Sequence, residues 1–286
     1  MRVSKIAKKL SNDQPALITS LHLTDPSVFE LTSLMGFDGI WIDLEHHAHS
    51  LETVQNLMRA ARIGTSDIVA RPAKGEFMRM GRLLEAGAQG IMYPRCDNAA
   101  EAAEVVKWAK FPPFGKRGCD GASPDMPYCS MPIAQYVKEA NEQTFVIIQV
   151  EEEQAIDNVE EIAAVEGVDI IMLGPGDYSC LSGFPGQMEH PQIKRATERI
   201  AAAALRFGKQ WGRPVSSPAH ARELIAMGAR FVTFGSDLTL IKRGLEQMQR
   251  EFLAEGFSFE NQLIPPSVTV RPHTVPHAAL SQRVPL

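Results

Sequence analysis

The sequence is short of the features that would assign a chain at first sight. Its four cysteines, Cys96, Cys119, Cys129 and Cys180, are scattered. They form no Cys-x-x-Cys pair and have no matching His spacing, so neither a zinc site nor a disulfide framework is indicated, and reduced structural thiols are expected. No run approaches the ~20 apolar residues of a membrane span, and the N-terminus lacks the apolar segment of a secretory signal. The expected location is therefore cytoplasmic. An excess of positive charge is also missing. The formal net charge is −5, which gives neither nucleic acid nor an anionic membrane a reason to bind. What remains is a globular composition, 44% hydrophobic and 22% charged over 286 residues, enough for one large α/β domain or two ordinary ones.

The stretch Phe37-Asp-Gly-Ile-Trp-Ile-Asp-Leu-Glu-His-His47 starts as a buried strand and delivers Asp43, Glu45, His46 and His47 at its C-terminal end. Charged side chains are rarely buried unless paired, so this cluster belongs where a strand leaves the core to meet a ligand or solvent. Further strands are predicted at Ala16 to Leu23, Ile68 to Ala73, Gly90 to Pro94, Phe145 to Val150, Val168 to Leu173, Gln210 to Val215 and Arg230 to Phe234. Between them lie helical patterns: Pro26 to Met35, a helix capped by Ser50 and ended by Gly64, Met78 to Glu85, a helix from Asp97 or Asn98 to Lys110, Ala155 to Val165, Gln192 to Phe207, Pro218 to Met227 and Leu238 to Ala254.

An internal echo links these units: Met35-Gly-Phe-Asp-Gly-Ile40, Ala86-Gly-Ala-Gln-Gly-Ile91, Glu166-Gly-Val-Asp-Ile170 and Met227-Gly-Ala-Arg-Phe231. A left-handed glycine ending a helix and feeding a buried parallel strand accounts for it. Eight β/α units in about 250 residues predict a (β/α)8 TIM barrel over residues 1–256, since doubly wound open sheets use fewer strands. Two segments stand outside the repeat. Phe111 to Gln135 reads as a long loop, a candidate lid whose Lys116 and Arg117 could meet an anion or simply be solvated. Residues 257–286 form an extension with Pro265, Pro266, Pro272, Pro276 and Pro285, a composition that favours disorder and that is expected here to pack on the barrel or on a neighbouring subunit.

In such a barrel the strand ends share one face, which would collect Asp43, Glu45, His46 and His47, then Arg71, then Gln149 and Glu151, then Gly174-Pro-Gly-Asp177. Glu151 and Asp177 offer hard oxygen ligands to a divalent cation such as Mg²⁺ or Mn²⁺. Arginine suits a carboxylate or an enolate, and His beside a carboxylate suits proton transfer near neutral pH. Each residue alone also fits an ordinary role: Glu151 to Glu153 as a solvated helix start, Asp177 as a turn cap. Their convergence on one face favours a catalytic site.

Phe37-Asp-Gly, Asp43-Leu-Glu-His46, Val69-Ala-Arg-Pro72, Leu84-Glu-Ala-Gly-Ala-Gln-Gly90, Phe111-Pro-Pro-Phe-Gly-Lys-Arg-Gly118, Gln149-Val-Glu151, Val165-Glu-Gly-Val-Asp169 and Gly174-Pro-Gly-Asp-Tyr-Ser179 resemble the motifs of the HpcH/HpaI aldolases, metal-dependent class II pyruvate aldolases of the phosphoenolpyruvate/pyruvate barrel superfamily. The resemblance, from about Leu17 to Phe252, implies retro-aldol cleavage of a 4-hydroxy-2-oxo acid, either a 2-keto-3-deoxy sugar acid or a hydroxy-oxo-diacid, to pyruvate and an aldehyde. It implies that Glu151 and Asp177 hold Mg²⁺, Mn²⁺ or Co²⁺, that Arg71 holds the enolate oxygen, and that His46 paired with Asp43 handles the proton. Gln149 and the backbone at Gly176 would seat pyruvate, and a homo-oligomer, a hexamer by family habit, is implied as well. Glu85 stands where the family usually has an Asp thought to reach a neighbouring subunit's site, and His47 stands where small residues are common. No Schiff-base lysine is required, Lys74 having no evident desolvating pocket. Two other functions share these residues: a citryl- or malyl-CoA-type lyase acting on thioesters, and a barrel that binds without catalysis.

Overall fold

In the computed structural model, which describes residues 1–263, eight parallel strands close into a barrel in sequence order. They are β1 (Ala16–Leu21), β2 (Gly39–Asp43), β3 (Asp67–Arg71), β4 (Gly90–Tyr93), β5 (Phe145–Val150), β6 (Ile170–Leu173), β7 (Gln210–Pro214) and β8 (Phe231–Ser236). The helices are α1 (Lys5–Ser11), α2 (Pro26–Leu34), α3 (Leu51–Ala61), α4 (Phe77–Ala86), α5 (Ala99–Ala109), α6 (Ile133–Gln143), α7 (Glu153–Asp157), α8 (Val159–Ala163), α9 (Pro175–Leu181), α10 (Pro191–Arg206), α11 (Pro218–Ala226) and α12 (Asp237–Ala254). Met1–Ile241 is the compact barrel unit, and the chain from Lys242 groups as a second unit. Most of the Pro-rich extension, and with it the expectation about its packing, lies outside the described residues.

Alternation along the strands divides the apolar residues. Ile18, Val69, Met92, Ile147, Met172 and Phe231 belong to one buried cluster inside the barrel, while Ile40, Ile42, Ile68, Ile148 and Ile171 pack outward under the helices. The four glycines of the internal echo, Gly36, Gly87, Gly167 and Gly228, have φ of 82°, 122°, 88° and 98°. All four adopt the backbone region that a side chain disfavours, Gly36, Gly87 and Gly228 directly at the ends of α2, α4 and α11 and Gly167 three residues after Ala164, the C-cap of α8. Ser50, Asn98 and Ser217 cap α3, α5 and α11 through their side-chain oxygens.

Three helices were not expected. The basic lead contains α1, whose Ile6 and Leu10 join the inner cluster; Ser4 Oγ and the Ile6 amide donate to Asp67 at 2.6 and 2.7 Å, at the N-terminal end of β3. At seven residues it is too short for periodicity to reveal. The end of the long loop folds as α6, with Tyr136 and Ala140 buried. The third, α9, starts at Pro175 although Gly-Pro-Gly reads as a turn, because proline is compatible with a first helical position. In addition, the helix expected from Ala155 to Val165 is two short helices that meet at Asn158.

Candidate active site

The C-terminal strand ends enclose a cavity of about 510 Å³ lined by Trp41, His46, Arg71, Gln149, Glu151 and Asp177, among others. Arg71 is its fixed point. The register sets Asp43 opposite Arg71 on neighbouring strands, and the guanidinium grips that carboxylate twice, Nε to Oδ1 at 2.9 Å and Nη2 to Oδ2 at 2.7 Å. Nη1 donates to Gln149 Oε1 at 3.3 Å, and the guanidinium lies 4.6 Å over the Trp41 ring. Burial would raise the Asp43 carboxyl, but the hydrogen bonds and charge of Arg71 more than offset it and hold Asp43 below its ordinary value. Arg71 is likewise depressed by burial and raised overall by Asp43, Glu45 and Glu151.

Two further carboxylates crowd this cation. Glu151 is 2% exposed, accepts from the Arg95 amide at 2.9 Å and from Gln149 Nε2 at 3.2 Å, and is pushed up to about 8, chiefly by burial. Glu45 Oε2 lies 3.1 Å from Arg71 Nη1, close enough for charge attraction, yet it is buried with no aligned hydrogen bond, and burial raises its carboxyl. Sequence reasoning had given Glu45 no role; its place in Asp-Leu-Glu-His, one residue from His46, was the available signal.

The expected pairing of His46 with Asp43 is not the one formed, because the strand register commits Asp43 to Arg71. His46 lies three residues beyond β2 with a side chain 56% exposed, its Nε2 being 3.7 Å from Glu45 Oε2 and 4.0 Å from Asp177 Oδ2. His47 packs instead on His22, with ring centroids 4.5 Å apart, and His22 Nδ1 lies 3.2 Å from Asp237 Oδ1. Gly176 lines the cavity, and Asp177 stands in the first turn of α9. Glu85 does not line the cavity; it is half-buried on α4 with Arg117 and Asp125 among its charged neighbours. Arg117, a candidate anion contact, is buried against Asp125 at 2.6 Å. The end of β7 with the loop and helix after it supplies a wall that the sequence did not announce: Arg213 and Pro214, then Ser216 and His220.

Among the described residues no three His, Cys, Asp or Glu side chains gather as a ready metal cage. Glu151 and Asp177 nevertheless suit a hard divalent cation. Glu151 is a desolvated carboxylate that needs a counter-charge, and it fits only because residue 174 is glycine: a Cβ there would stand 1.7 Å from Glu151 Oε1.

The model of the HpcH/HpaI aldolase/citrate lyase family matches residues 19–243. The 4-hydroxy-2-oxo-heptane-1,7-dioate aldolase of Escherichia coli is 32% identical over 247 residues, 86% of this chain and 94% of that one. The hydroxypyruvate/pyruvate aldolase of Pseudomonas aeruginosa is 31% identical over 250 residues, covering 87% and 93%. The crystal structure of an HpcH/HpaI aldolase from Desulfitobacterium hafniense DCB-2 superposes with a TM-score of 0.82 at 28% identity, covering 89% of this chain and 98% of that one. A buried arginine clamped at the mouth of an eight-stranded barrel and a match along nearly the whole barrel thus agree, and the chain belongs to the HpcH/HpaI aldolase/citrate lyase family as a carbon–carbon lyase of the aldolase type.

Proposed function

We propose that the cavity cleaves, reversibly, a 4-hydroxy-2-oxo acid to pyruvate and an aldehyde, the activity class that the relatives' names carry. The observation that supports it most is the fixed guanidinium of Arg71, buried and aligned by Asp43, with Gln149 beside it. When the C3–C4 bond breaks, its electron pair passes to C3 and the 2-oxo oxygen gains charge; a preorganised cation at that oxygen stabilises the developing enolate without having to reorganise. Asp43 acts here as a positioning residue. Gln149 and the backbone at Gly176 orient the pyruvate half. His46, exposed and close to both Glu45 and Asp177, takes the C4 hydroxyl proton as the aldehyde forms, the enolate then gains a proton at C3 from His46 or solvent to give pyruvate, and condensation runs these transfers in reverse.

The family is in general dependent on divalent metals. Glu151 and Asp177 would hold the ion, with Mg²⁺, Mn²⁺ or Co²⁺ as candidates, and the bound ion supplies Lewis acidity toward the oxygens of the oxo acid. All these residues lie within the Met1–Ile241 unit. A homo-oligomer, hexameric in the family's habit, is supported by the exposed Leu245, Met248 and Phe252 of α12. No helix of the described residues is long and apolar enough to cross a membrane. The test is lactate-dehydrogenase-coupled pyruvate release from a panel of 4-hydroxy-2-oxo acids, before and after chelation and with each metal restored. Undiminished release after exhaustive chelation, or no release from any member with any metal, would overturn the reading.

A further inference from the structure

Three arginines are buried among the described residues, each 5% exposed: Arg71, Arg117 and Arg213. The first two are paired, Arg71 with Asp43 at 2.7 Å and Arg117 with Asp125 at 2.6 Å. Arg213 differs. Its Nη1 donates to Thr197 Oγ1 at 2.9 Å and its Nε reaches the Pro214 carbonyl at 3.4 Å, but among the described residues it forms no ion pair and finds no acceptor for Nη2. A guanidinium taken from water against only a hydroxyl and a carbonyl is a poor bargain for folding alone, because buried cations are normally matched by an anion. Burial accordingly lowers its proton affinity, with the exposed Glu189 opposing this through charge from beyond contact.

Arg213 stands next to the chemistry. It borders the catalytic cavity and also a second one, about 240 Å³, walled by α10 and α11, and the two share Met188, Glu189, Arg213 and His220. The shared wall carries donors. The Ser216 amide donates to His220 Nδ1 at 3.3 Å, so the neutral ring keeps its proton on Nε2 as a donor. Glu198, Glu223 and Lys194 line the remaining wall of the second cavity, and on the shared wall Arg213 and His220 stand with the exposed carboxylate of Glu189. The catalytic cavity is thus lined by Glu151 and Asp177 on one part of its wall and, on another, by Arg213, which has no carboxylate in contact among the described residues and has Glu189 beyond contact.

We propose that Arg213, with His220 beside it, determines specificity for the half of the substrate that leaves as the aldehyde, and that this aldehyde carries a carboxylate. The inference rests on the retro-aldol reading of the cavity and selects, within it, hydroxy-oxo-diacids over neutral-tailed sugar acids. The anion would accept from Nη2, the donor the fold leaves free, and would displace the charge of Glu189 from the guanidinium.

The test measures aldol addition of pyruvate to matched acceptors, succinic semialdehyde against butanal and glyoxylate against glycolaldehyde, and reads the ratio of kcat/KM between the charged and neutral member of each pair. The wild-type enzyme should favour the charged acceptors. Arg213→Met should lower that ratio roughly 10–100-fold, the range expected when a hydrogen bond to a charged group is lost, through KM for the charged acceptor, and Arg213→Lys should restore part of it. Glu189→Gln, at an exposed position that should not disturb folding, should shift the ratio the other way by lowering KM for charged acceptors. A merely structural role would lower both acceptor classes together in Arg213→Met and leave Glu189→Gln without effect; that result, or a wild-type preference for the neutral acceptors, would overturn the proposal. Exchange of the pyruvate methyl protons in D₂O with metal and no aldehyde separates this from the parent reading: exchange with no charge selectivity overturns the Arg213 assignment alone, and absence of exchange overturns both.

Discussion

Asp43 and Arg71 close the ends of β2 and β3 by two hydrogen bonds, 2.9 and 2.7 Å, inside a wall where four carboxylates and one guanidinium share the charge. The pair fixes the direction in which the guanidinium faces and keeps it charged. Removing Arg71 leaves Asp43 buried and without its counter-charge, which costs about 3–5 kcal/mol, whereas removing Asp43 costs less because Glu45 remains 3.1 Å from the guanidinium. Arg71→Ala and Asp43→Ala should both lower the unfolding midpoint in urea with little change in slope. Arg71→Lys should keep the charge but lose the two-point grip, so kcat should fall by roughly 10²-fold, as for a lost oxyanion donor. Wild-type turnover in Arg71→Lys would show that the fork geometry is irrelevant.

A second expectation concerns Gly174, whose missing Cβ is what lets Glu151 lie where it does. In Gly174→Ala the new methyl would meet a buried carboxylate at 1.7 Å and force it aside. If Glu151 is a metal ligand, affinity for Mn²⁺ should drop by at least the roughly 10–100-fold typical of displaced ligand support. Calorimetric titration of Mn²⁺ reads this without relying on activity. Unchanged affinity in a folded Gly174→Ala would remove Glu151 from the metal site.

The adjacent histidines give a third. His46 lines the cavity, while His47 is not among its lining residues and packs against His22 with the ring planes tilted by 43°. His46→Asn should reduce turnover by roughly 10²-fold or more, whereas His47→Asn should mainly disturb the packing of His22. Steady-state kinetics and melting temperatures on both variants decide it; equal losses of turnover would mean that the proton is handled elsewhere.

The barrel was legible because it is repetitive: helix-ending glycines and apolar strands recur, and all four echoed glycines adopt the positive φ the pattern required. Asp43, Arg71, Gln149, Glu151 and Asp177 were legible as a set because period-two alternation and a parallel sheet send strand-end polar residues to one face. The partnership of Asp43 was not, since it depends on the register between β2 and β3, which neither strand encodes by itself. Arg213 escaped notice for a similar reason. No motif marks Arg213-Pro214 as Val69-Ala-Arg-Pro72 marks Arg71, and only the packing of Thr197 from α10 shows Arg213 to be buried without an ion pair among the described residues.

The last expectation lies at the opposite end of the barrel. Asp67 is buried; its Oδ2 accepts from Ser4 Oγ and the Ile6 amide, while Oδ1 is buried without a partner. Burial, the largest influence, raises its carboxyl above the ordinary value, and the hydrogen bonds from Ser4 and Ile6 offset only part of that. A folded pKa above the unfolded one means that the folded state holds the proton more tightly. The stabilising contribution is then complete below the unfolded value, ~3.9, and is lost as pH rises through the folded value. Asp67→Asn keeps an oxygen for Ser4 and Ile6 but cannot ionise, so it lacks this contribution to the pH dependence while the other groups titrate alike in both proteins. Urea unfolding of both proteins at steps from pH 4 upward should therefore give a difference, wild type minus Asp67→Asn, that declines with pH and then levels off. A difference that is flat or that rises with pH would show that Asp67 is not held protonated by its burial.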